Sequence, residues 1–182
     1  SYIIIFIYTI CLVLIFIYAL AQLNLLINYL KYRNKEDNSP KFDFKNAEEI
    51  PFVTIQLPVY NELYVMERLL ENIVKLEYPS EKLEIQVLDD STDESVEMTA
   101  KHIKEIQETG IDIQHIRRTN RQGFKAGALK EGLKTAKGEF IAIFDADFLP
   151  KKDWLLQTVP YFKDDKIGVV QTRWSHINRN YS

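Results

Sequence analysis

Two carboxylates one residue apart, Asp145 and Asp147, are where chemistry is most legible in this chain. They follow the apolar run Phe140-Ile141-Ala142-Ile143-Phe144 and precede Phe148-Leu149-Pro150. The run is too short for a free-standing helix and has the composition of a fully buried strand. In an extended chain, residues i and i+2 point to the same side, so both acids are expected to face one point at a strand end. Carboxylates held that close repel each other, and a divalent cation between them relieves the repulsion. With 11 Asp in the chain, an Asp-x-Asp also arises by chance, so its meaning depends on what surrounds it.

The surrounding pattern alternates. Strands are expected at 53–57, 83–88, 111–116, 140–144 and 167–171. Helices are expected at 63–76 (with Asn61 as N-cap), 94–108 (closed by Gly110), 126–136 and 154–162. Short strands alternating with longer helices predict βαβ units and a parallel sheet, an α/β fold. Right-handed crossovers bring all the strand ends to one edge, where open sheets of this kind bind ligands. Three of those ends are polar and specific: Pro58-Val59-Tyr60-Asn61-Glu62, Asp89-Asp90-Ser91, and the Asp145/Asp147 pair.

Other features narrow the class. A net charge of −3 and the lack of a basic stripe interleaved with aromatics argue against nucleic-acid binding. The single Cys11 excludes an internal disulfide framework. No Gly-x-Gly-x-x-Gly or Walker loop is present, so a dinucleotide cofactor is not expected. Gly123-Phe124-Lys125-Ala126-Gly127 puts a glycine-flanked lysine at a helix start, where amides and a cation can face phosphate. His102, His115 and His176 share no metal-ligand spacing and read as structural.

Residues 1–30 carry no charge and read as a transmembrane helix. Tyr29, Lys31, Tyr32 and Arg33 follow as interface anchors, which puts the remainder on the cytoplasmic side by the positive-inside rule. Residues 31–50 read as a juxtamembrane linker and 51–182 as the start of an α/β domain that is expected to continue beyond the sequence. A chain that begins with Ser and ends at Asn180-Tyr181-Ser182 is expected to be a piece of something longer.

Five ordered blocks carry a family likeness: Gln56-Leu57-Pro58-Val59-Tyr60-Asn61-Glu62, Gln86-Val87-Leu88-Asp89-Asp90-Ser91-Thr92-Asp93, Arg121-Gln122-Gly123-Phe124-Lys125-Ala126-Gly127, Ile143-Phe144-Asp145-Ala146-Asp147-Phe148, and Val170-Gln171-Thr172-Arg173-Trp174. The chain resembles membrane-bound family 2 glycosyltransferases of the cellulose synthase superfamily, especially the glucomannan and mannan synthase-like branch. The resemblance implies a GT-A nucleotide-sugar fold and an inverting hexosyl transfer from UDP-glucose or GDP-mannose to a growing β-glycan at the cytoplasmic membrane face. It places Pro58, Tyr60 and Glu62 at the base and ribose, Asp89 or Asp90 on the base, and Lys125 near the diphosphate. Asp145 and Asp147 would hold Mg²⁺ or Mn²⁺ there. The family's catalytic base is the Asp of a Thr-Glu-Asp block, which this sequence lacks, so the base is expected beyond Ser182. The family's Gln-x-x-Arg-Trp motif is also missing, because Gln171-Thr172-Arg173-Trp174 has one residue too few. Transfer of one sugar to a membrane lipid, and a non-catalytic nucleotide-sugar-binding subunit, are the competing readings.

Overall fold

A computed structural model describes residues 2–33 and 49–173 of the chain. It separates into two units, an N-terminal helix and a sheet domain. Helix α1 spans Tyr2–Tyr32 and is about 46 Å long at ~1.5 Å per residue. By length and composition it can cross a membrane, and none of its residues is buried. Two of its polar side chains bond back within the helix: Thr9 Oγ1 donates to Ile5 O at 2.8 Å and Asn28 Nδ2 to Asn24 O at 3.0 Å. The linker expected over 31–50 lies mostly outside the described residues.

The sheet domain runs β1 (Val53–Val59), α2 (Met66–Ile73), β2 (Leu83–Asp89), α3 (Ser95–Glu108), β3 (Ile113–Arg117), α4 (Phe124–Gly132), β4 (Phe140–Ile143) and α5 (Trp154–Thr158). All strand pairs are parallel, in the order β3-β2-β1-β4. The winding therefore steps outward from β1 to β3, then jumps back to the other side of β1. That reversal is a topological switch point, and ligand crevices in such sheets open there.

Strand alternation sorts the sheet into two unlike faces. Val53, Ile55, Leu57 and Val59 join Ile85 and Val87 in an apolar core with Leu69, Leu70 and Ile73 of α2 and Ile103 of α3. The opposite face is polar although buried. Glu84 has no exposed surface, and its carboxylate accepts from Thr54 Oγ1 at 2.8 Å, Gln114 Nε2 at 2.8 Å and the Lys137 amide at 2.9 Å. Gln56 Nε2 donates to Gln86 Oε1 at 3.0 Å in the next rung. A buried carboxylate without such donors would be costly, and with them the ladder fixes strand register. Helix α4 seats on this ladder at Gly132, where a β-carbon would lie 2.6 Å from Gln56 Nε2. The ladder thus sets the depth of the helix whose other end carries Lys125.

Four expectations need correction. Helix α2 begins at Met66 rather than near Leu63, and Asn61 does not cap it. Asn61 instead adopts a left-handed φ of 55° and ties two strand ends, its amide donating to Ser91 Oγ and its side-chain oxygen accepting from Thr92 N. Strand β4 is not fully buried. It is the outer strand among the described residues, with Ile143 47% exposed. No strand forms over 167–171, where the chain finds no partner ladder and is tethered by Trp154 Nε1 donating to Thr172 Oγ1. The helix expected over 154–162 tightens into a 3₁₀ turn, Val159–Lys163, because Pro160 has no amide to continue the α-helical bonding. Trp174 and His176 lie outside the described residues.

Candidate functional site at the sheet switch point

Pairing of β1 with β4 stops at Gln56, with a last bond from Phe144 N to Gln56 O, while β1 continues beside β2 to Val59. Beyond that point the two strand ends diverge around a cleft of about 430 Å³. Pro58, Tyr60, Glu62, Asp90, Lys125, Asp145 and Asp147 all line it, joined by Arg121, Phe124 and Ala128. Seven of the eight residues singled out from sequence thus meet in one place.

The two acids reach it by a different route from the one expected. The strand ends at Ile143, and Asp145 to Phe148 form a turn closed by Phe148 N donating to Asp145 O at 2.9 Å. The pair shares the cleft through this turn, not through strand periodicity. Phe144 anchors the turn, buried edge-on against Trp154 at 4.8 Å. Lys125 forms an ion pair with Asp145, while Asp147 has no partner among the described residues.

Asp89 is the residue that stays out of the cleft. Neighbouring residues of a strand face opposite ways, so Asp89 turns to the α2–α3 face and Asp90 toward α4. Asp89 Oδ2 lies 2.8 Å from His115 Nε2, and Oδ1 accepts from Ser91 N at 2.8 Å. Burial pushes this carboxyl up, but the bonds from His115 and Ser91 more than offset it and hold Asp89 below the usual carboxylate range. The sign follows: a folded-state value below the unfolded one (about 3.9) stabilises the fold above that pH. The contribution disappears as pH falls through the lowered value. Stability of the parent should therefore drop on acidification below about pH 4, and Asp89→Asn should flatten that part of the curve, read by denaturant unfolding across the acid range. Curves of equal slope for parent and variant would remove Asp89 from this role.

Sequence reasoning missed Arg118, the hub of the loop between β3 and α4. Its Nε donates to Asp90 Oδ1 at 2.7 Å, Nη1 to Gln122 O at 2.8 Å and Nη2 to both Asp90 and Phe124 O. One guanidinium thus joins the β2 end to the turn that starts α4. Asp90 in return raises the pKa of Arg118, chiefly through their hydrogen bonds. The turn needs this anchor because Gly123 and Phe124 take left-handed φ values of 76° and 47°, the second unfavourable for a residue with a side chain. The signal in the sequence was a second arginine directly after the third strand.

The donor set suits a hard divalent cation. Asp145 and Asp147 supply two carboxylates to the same cleft, and among the described residues no cluster of three or more His, Cys, Asp or Glu could hold a metal alone. Mg²⁺ and Mn²⁺ are commonly held by one or two carboxylates, with phosphate oxygens and water completing the shell.

Residues 54–182 match the model of the family described as glycosyl transferase family 2. The chain belongs to that family. It is 45% identical over 135 residues to the probable glucomannan 4-beta-mannosyltransferase 11 of Oryza sativa subsp. japonica, covering 71% of this chain and 24% of that protein. It is 39% identical over 171 residues to glucomannan 4-beta-mannosyltransferase 1 of Cyamopsis tetragonoloba, covering 88% of this chain and 32% of that one. Among solved structures it resembles the mannosyltransferase PcManGT from Pyrobaculum calidifontis in complex with GDP-Man and Mn²⁺. That match has a TM-score of 0.63 and 34% identity over 79% of this chain and 41% of that one. The sheet and flanking helices are those of a GT-A fold, as the sequence blocks implied. This family 2 chain spans about a quarter to a third of the length of the curated relatives it matches.

Proposed function

We propose that this chain is the donor-binding part of an inverting, metal-dependent hexosyltransferase that takes mannose from GDP-mannose and extends a β-linked mannan or glucomannan at the cytoplasmic membrane face. The observation that carries the reading is the meeting of Asp145, Asp147 and Lys125 with Tyr60 and Asp90 in one cleft at the β1/β4 switch point. Of the two donors the sequence left open, mannose relatives and a GDP-Man-bound neighbour favour GDP-mannose over UDP-glucose. Helix α1 supports a membrane location by its length and composition.

Each cleft residue has a task that its chemistry allows. Asp145 and Asp147 would hold Mg²⁺ or Mn²⁺, which when bound would supply Lewis-acid stabilisation of the departing nucleoside diphosphate. Lys125, paired with Asp145 beside the place the metal would occupy, is the cation that would meet the diphosphate charge. Tyr60 offers a ring face beside the base, and Asp90 offers acceptor lone pairs that Arg118 does not use. Deprotonation of the acceptor hydroxyl requires a general base, and no residue of this cleft is assigned that part.

Membranes carrying the full-length protein, supplied in turn with labelled GDP-mannose and UDP-glucose, test the reading. Label is expected from GDP-mannose in an insoluble product that a β-mannanase releases. Label confined to a solvent-extractable lipid would instead support single-sugar transfer, and no incorporation from either donor would support a binding subunit. Tyr60→Ala should raise the donor KM more than it lowers kcat, because a ring beside the base contributes binding that persists through the reaction. A variant with unchanged KM would take Tyr60 out of the donor site.

A further inference from the structure

Arg121 lines the cleft yet has no assigned part in it. Its guanidinium carbon lies 3.4 Å from the centre of the Tyr60 ring and 5.6 Å from that of Phe124. Its Nε is buried without a hydrogen-bond partner, 3.8 Å from Asp90 Oδ2. Arg118, four residues from its turn partner, spends all its nitrogens on the protein, whereas Arg121 donates no side-chain hydrogen bond among the described residues. A buried donor left unpaired is unfavourable, so a guanidinium packed over a ring with its buried Nε unspent is prepared for acceptors that arrive with a ligand.

The sheet says which end of the ligand that is. Asp90 and Asp145 follow strands two places apart, β2 and β4, whose ladder positions are separated by about 10 Å. Lys125 pairs with Asp145, on the β4 side of β1, and so marks the diphosphate end. Arg121 sits against Asp90, on the β2 side, and so faces the base. There, a fork of donors adjoins a carboxylate acceptor. Guanine presents the complementary edge, with acceptors N7 and O6 followed by the N1–H and N2–H donors. A guanidinium reads N7 and O6 bidentately. Uracil carries O4 and O2 on either side of its N3–H, so it can accept one arm at O4 and donate N3–H to the carboxylate. It has C5–H where guanine has N7, however, and gives the second arm no acceptor.

We infer that Arg121, packed over the Tyr60 ring, is the residue that selects a guanine nucleotide over a uracil nucleotide in this cleft. The inference rests on the GDP-sugar reading above. It is tested on the full-length protein in detergent with Mn²⁺, by calorimetric titration of GDP, UDP and 7-deaza-GDP, which lacks the N7 acceptor. The unmodified protein should bind GDP at least about 10-fold more tightly than UDP and than 7-deaza-GDP, the scale of one bidentate base contact. Arg121→Lys keeps the charge and loses the fork. In that variant GDP should weaken to the level of 7-deaza-GDP, with UDP changed by less than about 2-fold. Equal weakening of GDP, UDP and inorganic pyrophosphate would make Arg121 a phosphate clamp and overturn the inference. So would equal affinity of the unmodified protein for GDP and 7-deaza-GDP, a comparison that needs no variant to fold. A preference for UDP in the unmodified protein would overturn the GDP-mannose reading and this one together. A GDP preference indifferent to N7 and to Arg121→Lys would overturn this one alone.

Discussion

Asp147→Ala should reduce hexosyl transfer by the full-length protein at least about 10³-fold while leaving its thermal midpoint unchanged. The separation of the two effects comes from how the acids are held. Asp147 is exposed and has no partner among the described residues, so its carboxylate supports no element of the fold. Surface substitutions of that kind alter stability by about 0.5 kcal/mol or less. The reaction, by contrast, leaves new negative charge on a nucleoside diphosphate. Metal and preorganised charge at such a site supply several kcal/mol, and about 4 kcal/mol corresponds to a factor near 10³. Asp145→Ala should be similarly inactive but is the less clean experiment, since it also frees Lys125. Mn²⁺ titration in the presence of GDP gives a second readout, in which Asp147→Ala should require at least about 10-fold more metal. Near-normal turnover in Asp147→Ala would remove the metal role from this turn.

The sheet was legible because strands with apolar inward residues and turn-rich ends leave a clear mark, and the parallel order follows from alternation with helices. What periodicity could not see was decided by contacts between distant segments. Asn61 looks like an N-cap in isolation, but Ser91 and Thr92 lie beside it in space and take its polar groups. Asp89 and Asp90 are indistinguishable as types. Only the strand alternation, once the strand end is known, sends one to His115 and the other into the cleft. The polar residues Thr54, Gln56, Glu84 and Gln86 carry no mark of burial in the sequence, and are covered because α4 and residues 137 and 138 lie over them. The site residues followed from spacing and family likeness together. Arg118 and Arg121 did not, since a guanidinium's role depends on which carboxylate and which ring it meets.

Gly127→Ala should be the most damaging single-methyl change near the cleft, and its effect should reach donor binding. Gly127 has an ordinary helical backbone, so conformational freedom is not what the position requires; space is. A β-carbon there would lie 2.0 Å from Gln122 O and 2.4 Å from Arg118 Nη1, the two ends of one hydrogen bond. Gln122 O is backbone and cannot rotate away. Either the turn before α4 moves out, taking Arg121 off Tyr60, or α4 lifts, taking Lys125 from Asp145. Overpacking of this type costs about 1–3 kcal/mol and sometimes more, and the donor KM should rise at least about 10-fold because orientation in the cleft is lost. Gly132→Ala meets side-chain ends of Gln56, Gln86 and Leu88 and no backbone atom, and should cost less. Gly110→Ala meets nothing within 4 Å, so only its φ of 89° is penalised, about 1 kcal/mol, with the donor KM unchanged. Unfolding midpoints and donor KM for the three variants should rank Gly127→Ala first on both scales. A Gly127→Ala protein as stable as the parent and with its donor KM would mean that α4 is not held to the cleft by this close contact.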